Sequence, residues 1–241
     1  EEITAHIVAI VRLADAGPAV LSDPHGVIAP GERAALIFDR TCFYAEAGGQ
    51  VGDRGVVTGT VARFDVEETQ NINGVILHFG TAAMGNFTVE QEVELKVDAH
   101  RRATMKNHTA THVLNWALRE VLGDHVQQKG SLVDPEKTRF DFSHPKALTA
   151  AEIARVEELV NEQIAQNLPI HYQTVPQGDA LRIHGLRAVF GERYPDQVRV
   201  MSVGVPVDDL LARPDNPEWR KYSIEFCGGT HLRQTGDIEH F

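Results

Sequence analysis

The 241-residue sequence is short of positive charge: 23 Lys and Arg face 34 Asp and Glu, a net charge of −11. A broad, sequence-blind nucleic-acid binder relies on surplus Lys and Arg, so that class does not fit. A tRNA held through a local basic patch remains open. Cysteine is equally scarce, with only Cys42 and Cys227. A disulfide scaffold is therefore excluded, and a reducing, cytoplasmic setting is expected. A Cys42–Cys227 bridge is open by count alone but does not suit a chain without secretory features. No apolar run approaches the roughly 20 residues of a membrane helix, so no membrane partner is expected. The acidic Glu1-Glu2 and Arg12 do not suit a signal peptide. Glu rather than Met at the start suggests an excised fragment or a processed product. Internal repeats and low-complexity tracts are missing too. What is present, 42% hydrophobic and 24% charged residues, is ordinary for a soluble globular protein of one large or two modest domains.

The pattern of apolar residues predicts α+β with an antiparallel sheet. Short runs at Ile7–Val11, Ala34–Phe38, Val56–Val61, Val75–Phe79 and Val93–Val97 alternate with turn material such as Asp15-Ala16-Gly17-Pro18. Residues 1–97 therefore read as a small β-barrel-like domain. Asn73-Gly74 suits a type I′ hairpin, because both residues tolerate positive φ. Residues 98–241 read as a second, two-layer α/β domain. Its first helix runs from Ala99 to Leu122, with Asp98 as cap and Gly123 as C′ residue. A second helix starts at the Thr149/Glu152 capping box and ends near Asn167-Leu168-Pro169. Strands are expected at Thr138–Phe142, Ile170–Val175, Val198–Val203 and Tyr222–Phe226. Pro206 to Lys221, with three prolines and mixed charge, reads as a surface insertion.

The sharpest chemical signal is a pair of short spacings. His108 and His112 lie at i and i+4 of the first helix, on one face and close enough to share a metal ion. Cys227 and His231 share that spacing, but Gly228-Gly229 between them lets the backbone curl until both side chains converge. One sulfur and three nitrogens suit tetrahedral zinc. Twelve histidines make a single His-x-x-x-His unremarkable; the two motifs together favour a metal. No Glu follows His108, so this is not the His-Glu-x-x-His protease motif. A Cys227 nucleophile activated by His231 is the rival chemistry, and it leaves His108 and His112 unexplained. Gly48-Gly49-Gln50, within a stretch of four glycines in eight residues, reads as a tight turn or a close approach to a ligand. Gln127-Gln128-Lys129-Gly130-Ser131 offers amides to a small polar ligand, or is a solvated loop. Arg101, Arg102 and Lys106 could face phosphates, or form a solvated helix face.

At these residues the chain resembles the editing region of alanyl-tRNA synthetase. The stretches that carry the resemblance are FYAEAGGQVGDRG (43–55), NHTATHVLNWALREVLGDHVQQKGSLV (107–133), RFDFSHP (139–145), GLRAVFGERYPDQVRVMSVG (185–204) and FCGGTHLRQTGDI (226–238). Their order and spacing match as well. Freestanding editing proteins share the two metal motifs and Gly-Gly-Gln, and threonyl-tRNA synthetase shares a similar His/Cys core. The resemblance implies hydrolysis of Ser- or Gly-tRNA for alanine, with that tRNA and the rest of a parent synthetase, cytoplasmic or organellar, as partners. It implies zinc on His108, His112, Cys227 and His231. Gln128 would read the serine hydroxyl, helped by Thr109 or Thr111, with Gly48, Gly49 and Gln50 beside the substrate. Gln128, His108 and Cys227 are the catalytic candidates. Nothing in the chain resembles the aminoacylation core. Two other classes stay open: a zinc-stabilised tRNA-binding module without activity, and a thioesterase or aminoacyl-ester hydrolase of other specificity.

Overall fold

Strict in–out alternation along the early strands builds the first half of the molecule. In Glu92–Val97, for instance, Val93, Leu95 and Val97 are buried while Glu92, Glu94 and Lys96 face water. The computed structural model describes residues 1–14, 17–21, 26–189 and 193–241. It divides into two compact units, 1–47 with 51–101, and 48–50 with 102–241. The first unit holds β1 (Glu2–Ala14), β2 (Gly17–Leu21), β3 (Val27–Ile28), β4 (Arg33–Phe38), β5 (Gly55–Gly59), β6 (Ala62–Ile72), β7 (Val75–Met84), β8 (Phe87–Thr88) and β9 (Glu92–Val97). Antiparallel pairing runs β1-β4-β7-β6-β5-β9, and β9 returns to β1, so six strands close a barrel. Strand β2 extends from β1. Closure removes the open edges that would otherwise invite aggregation. Ile7, Ile10, Leu36, Phe64, Phe87 and Leu95 fill the interior.

The barrel agrees with the expectation, and β6 adds a sixth strand to the five expected runs, with β2, β3 and β8 outside the ring. The run read as Val56–Val61 breaks at a turn over Thr60 and Val61, and β6 then carries Ala62, Phe64 and Val66 into the core. The rest of β6 is polar, which hid it. Asn73 (φ +52°) and Gly74 (φ +87°) make the expected β6–β7 turn. Of the turn expected at 15–18, Gly17 and Pro18 open β2, whereas Asp15 and Ala16 lie outside the described residues, as do Phe190, Gly191 and Glu192.

Helix α1 (His100–Leu122) carries the chain into the second unit. The His100 N–H donates to Asp98 Oδ1 (2.8 Å), and Gly123 (φ +108°) ends the helix. Strands β10 (Gln128–Val133) and β11 (Thr138–Phe142) form a hairpin. Helix α2 (Ala150–Ala165) starts at the full Thr149/Glu152 capping box. Strand β12 (Ile170–Pro176), helix α3 (Gln177–Ala180), β13 (Gln197–Val203), helix α4 (Val207–Ala212) and β14 (Ile224–Phe226) follow, with antiparallel sheet order β12-β13-β14. Val113, Ala117 and Leu118 of α1 pack with Val156, Val160 and Ile164 of α2 and with Leu232 and Ile238. The sheet packs on Ile183, Val207, Leu210 and Trp219. The last three correct the reading of Pro206–Lys221 as a surface insertion. Pro206 caps α4 and Pro217 opens a 3₁₀ turn, so the prolines start short helices whose apolar residues are buried.

Candidate metal centre

One face of α1 carries polar side chains inward. His108, His112 and Asn115 follow at i, i+4 and i+7, and all three are buried. Opposite them the chain leaves β14 and turns through Cys227-Gly228-Gly229-Thr230-His231. The Cys227 N–H donates to the Arg199 carbonyl (3.0 Å), Arg199 Nη1 donates to the Gly229 carbonyl (2.6 Å), and the Gly229 N–H donates to Cys227 Sγ (3.4 Å). A Cβ on Gly229 would lie 2.2 Å from His108 Cε1 and 2.7 Å from Gln50 Oε1, so only glycine lets the loop lie this close.

The four expected donors converge. Their ligand atoms all lie within 4.8 Å of one another. Cys227 Sγ is 3.4 Å from His108 Nε2 and 3.1 Å from His231 Nε2. Each imidazole is turned by an oxygen on its outer nitrogen. His108 Nδ1–H donates to Gln50 Oε1 (2.6 Å), His112 Nδ1 is 2.8 Å from Glu225 Oε2, and His231 Nδ1 is 3.5 Å from Thr109 Oγ1. Metal-binding histidines are characteristically held this way. Both His112 nitrogens are buried and make no hydrogen bond among the described residues; Nδ1 keeps its ion contact with Glu225, whereas Nε2 has none. A buried orphan nitrogen facing a thiol and two imidazoles is an atom that a metal would satisfy.

Electrostatics sets the protonation of the metal-free group. Burial pushes the Cys227 thiol up, but His231, His112 and the contact with His108 outweigh it and hold the thiol well below its usual range. Burial alone would lower His112; the Glu225 carboxylate, with help from Cys227, instead raises it to about 10. Burial wins at His231, which is pushed down to about 4. Glu225 lies below the usual carboxylate range because His112 and Arg187 outweigh its burial. The metal-free group is thus a thiolate beside a protonated His112, whose inner proton a metal would displace, and the donor set fits a zinc ion. Cys227 is only half-buried, so the cluster is not sealed from water.

Gly48-Gly49-Gln50 is neither a free turn nor an open ligand cradle. Gly49 (φ +83°) lies so close to β10 that a Cβ would meet Ser131 Oγ at 2.4 Å, and its carbonyl accepts from the Val133 N–H (2.8 Å). Gln50 is 0% exposed. Its Oε1 takes the His108 Nδ1–H and the Thr230 N–H, and its Nε2 donates to Thr230 Oγ1, both Thr230 bonds being 2.9 Å. It therefore ties both halves of the centre together. Half-buried Gln128 opens β10, in a segment that is a strand rather than a loop, and its Nε2 donates to Ser131 Oγ (3.2 Å). Ser131 Oγ in turn reaches the exposed Gly48 carbonyl (3.4 Å). Thr109 lies against His231, and its hydroxyl accepts from the Leu232 N–H (3.1 Å). Thr111 stands apart: its hydroxyl donates to the Asn107 carbonyl and meets Thr138 Oγ1, each at 2.7 Å. The basic trio is engaged. Arg101 pairs with Asp53 and Glu1, Lys106 with Glu239, and Arg102 lies 3.9 Å from Asp237.

Two family descriptions match the chain: "tRNA synthetases class II (A)" over residues 19–101, and "Threonyl and Alanyl tRNA synthetase second additional domain" over residues 198–241. The mitochondrial alanine–tRNA ligase of Saccharomyces cerevisiae is 53% identical over 214 residues, 88% of this chain and 22% of that protein. The chain belongs to the alanyl-tRNA synthetase family. The cytoplasmic alanine–tRNA ligase of Dictyostelium discoideum is 46% identical over 217 residues, 88% of this chain and 23% of that protein. The alanine–tRNA ligase of Burkholderia mallei is 45% identical over 243 residues, 100% of this chain and 25% of that protein. The chain spans about a quarter of the length of the curated relatives it matches. Among its described residues no helix is long and apolar enough to cross a membrane.

Reading motifs alone misses four residues around this centre: Asn115, Arg187, Ser223 and Glu225. Asn115 was findable, since it extends the His108–His112 spacing by one more turn. A lone Glu in the apolar strand Ser223-Ile224-Glu225-Phe226 carries no such signal.

Proposed function

We propose that this chain is the editing part of an alanine–tRNA ligase, hydrolysing the ester that joins Ser or Gly to tRNA for alanine. Inward convergence of Cys227 Sγ with three imidazoles, in a chain of this family, is the observation that carries the reading. A pocket for the alanine methyl cannot exclude the smaller Gly and rejects Ser only weakly, so a second, hydrolytic site serves fidelity. His108, His112, Cys227 and His231 would hold zinc. When bound, zinc supplies a positive charge that orients the 3′ end of the tRNA and polarises the ester.

The remaining steps fall to the chain's own groups. Water adds to the ester carbonyl carbon, the bond to the ribose oxygen breaks, and the terminal ribose hydroxyl takes up a proton as the free amino acid leaves. His108 and Cys227 border that carbon. Gln128 uses its amide to bind the serine hydroxyl, which alanine lacks, and Thr109 lies on the same side as His231. Exposed Gly48 offers backbone to the substrate, and Gly49 fastens that segment to β10. Gln50 acts through His108, and Thr111 through the β10–β11 hairpin. In this reading residues 98–241 form the zinc-binding editing core and 1–97 the barrel domain. The partners are mischarged tRNA for alanine and the rest of the synthetase, in the cytoplasm or an organelle.

The test is release of Ser from Ser-tRNA for alanine by the purified chain, against Ala-tRNA, with and without a zinc chelator. Selective, chelator-sensitive loss of Ser is expected. Metal and tRNA binding without ester cleavage would overturn the reading in favour of a binding module. Turnover of other esters but not of Ser or Gly would point to a different hydrolase.

A further inference from the structure

Glu225 is the most unusual residue in the second unit outside the four donors. It is a carboxylate on an apolar strand, 5% exposed, in the core of the unit. Burying such a charge is expensive unless it is paired and hydrogen-bonded. Here both oxygens are used. Oε1 accepts from Asn115 Nδ2 (3.0 Å) and Arg187 Nη1 (3.3 Å), and the Ser223 hydroxyl lies between it (3.4 Å) and the His112 carbonyl (3.2 Å). Oε2 is left for His112 Nδ1, at 2.8 Å. The four groups come from separate places: Asn115 from the His-bearing face of α1, Ser223 and Glu225 from β14 and its approach, Arg187 from the segment after α3. Backbone bonds fix the last of these against the strand, the Arg187 N–H donating to the Ile224 carbonyl (2.9 Å) and the Phe226 N–H to the Arg187 carbonyl (3.1 Å). The Arg187 side chain is 9% exposed, so the pair is hidden from water.

We infer that Glu225, held by Arg187, Asn115 and Ser223, is a positioning residue that sets the tautomer and tilt of His112 and so aims its Nε2 into the metal centre. The inference rests on the zinc reading above. A purely structural ion pair needs Arg187 and Glu225 only. It does not need Asn115, one helical turn beyond His112, to grip the same oxygen that Arg187 grips while the other oxygen stays on the imidazole. With Oε1 held by Asn115 and Arg187, Oε2 is kept beside His112 Nδ1. When a metal takes the Nε2 lone pair, the ring's one remaining proton sits on Nδ1, against Oε2. Every imidazole in the group has its outer nitrogen against an oxygen, but only His112 has a charged one.

The test is metal affinity rather than turnover: titration of the chain with cobalt(II), followed by its visible absorption, and with zinc(II) against a chromophoric chelator. Removing such a partner typically weakens metal binding about 10–100-fold. Glu225→Gln should do so, with the tetrahedral cobalt spectrum altered and secondary structure unchanged. Glu225→Gln alone strands the Arg187 charge in the core and could unfold the chain. The double variant Glu225→Gln with Arg187→Met strands no charge and should bind metal as weakly as the single one, at a metal-free melting temperature nearer the parent's. Asn115→Ala, which loosens Oε1 without touching a charge, should show a smaller loss. Parental affinity in the double variant and in Asn115→Ala overturns the inference and leaves the zinc reading intact. Failure of the unsubstituted chain to bind either metal overturns the zinc reading itself.

Discussion

His78, in the barrel rather than in the metal centre, makes the first unit sensitive to acid, and the size of the effect can be worked out. Its ring is 1% exposed. Nδ1–H donates to the Leu36 carbonyl (3.0 Å), and Nε2 accepts from the Thr41 hydroxyl (2.8 Å), an arrangement that only the neutral ring can satisfy. Phe38 and Phe43 pack edge-on against it, with ring centroids at 4.7 and 5.2 Å. Burial therefore pushes the group from its ordinary 6.5 down to about 4. Because the folded value is depressed, the unfolded chain binds the extra proton. The stabilisation is present above 6.5 and is lost as pH falls from there through about 4. A drop from 6.5 to about 4 corresponds to about 3 kcal/mol, most of it lost between about pH 7.5 and about pH 4.5. His78→Gln keeps one donor and one acceptor and cannot charge in this range. Its urea-unfolding free energy should fall about 2–3 kcal/mol less than the parent's over that interval. A parallel NMR titration should show no protonation of the His78 ring above about pH 5. A ring that titrates near its ordinary value, or a variant that loses as much stability as the parent, refutes the reasoning.

The metal loop gives a paired comparison. Gly229→Ala places a methyl 2.2 Å from His108 Cε1. It should cost about 1–3 kcal/mol of stability by overpacking and weaken metal binding about 10–100-fold by chelator competition. Gly228→Ala, whose methyl meets nothing within 4 Å, should stay within about 0.5 kcal/mol of the parent in thermal melting. Metal removal should lower the melting temperature and zinc should restore it, with a gain of about 4 kcal/mol at a thousandfold excess over Kd; an unchanged melting curve would count against a bound metal. Gln128→His should slow Ser-tRNA deacylation while leaving the melting temperature near the parent's, and deacylation at the parent rate would remove Gln128 from the specificity role. Thr149→Ala opens the capping box of α2 and should lower stability by about 1 kcal/mol in urea unfolding.

What could be read from the chain alone was whatever its local chemistry dictates. Both long helices announce themselves through Asp98, Gly123 and the Thr149/Glu152 box, because caps act within three or four residues. His108, His112, Cys227 and His231 stand out because spacing alone puts each pair on one side of the backbone. Strand β6 stayed hidden because much of it beyond Val66 is polar and runs out with β7 as a hairpin arm, with Ile72 and Val75 exposed. Trp219 and Leu210 were hidden by the prolines beside them, which signal a loop and in fact start helices. The role of Gln50 could not be read at all. It depends on a contact with His108, 58 residues away, and on bonds to Thr230, 180 residues away. Such meetings are decided by tertiary packing, which leaves no periodic trace in the sequence.

The donors of the metal centre stand far apart in the order of synthesis. His108 precedes Cys227 by 119 residues, and Gln50 precedes Thr230 by 180. A ribosome therefore releases Gln50 and the His-bearing helix long before the loop that completes the site. Until Cys227 and His231 emerge, the nascent second unit has half a donor set, with His108 and His112 facing an unfilled core. If the four donors hold zinc, the full set exists only once the last segment folds back and the bond network closes a very long loop. Metal loading would then double as a check that translation and folding of this unit have run to completion.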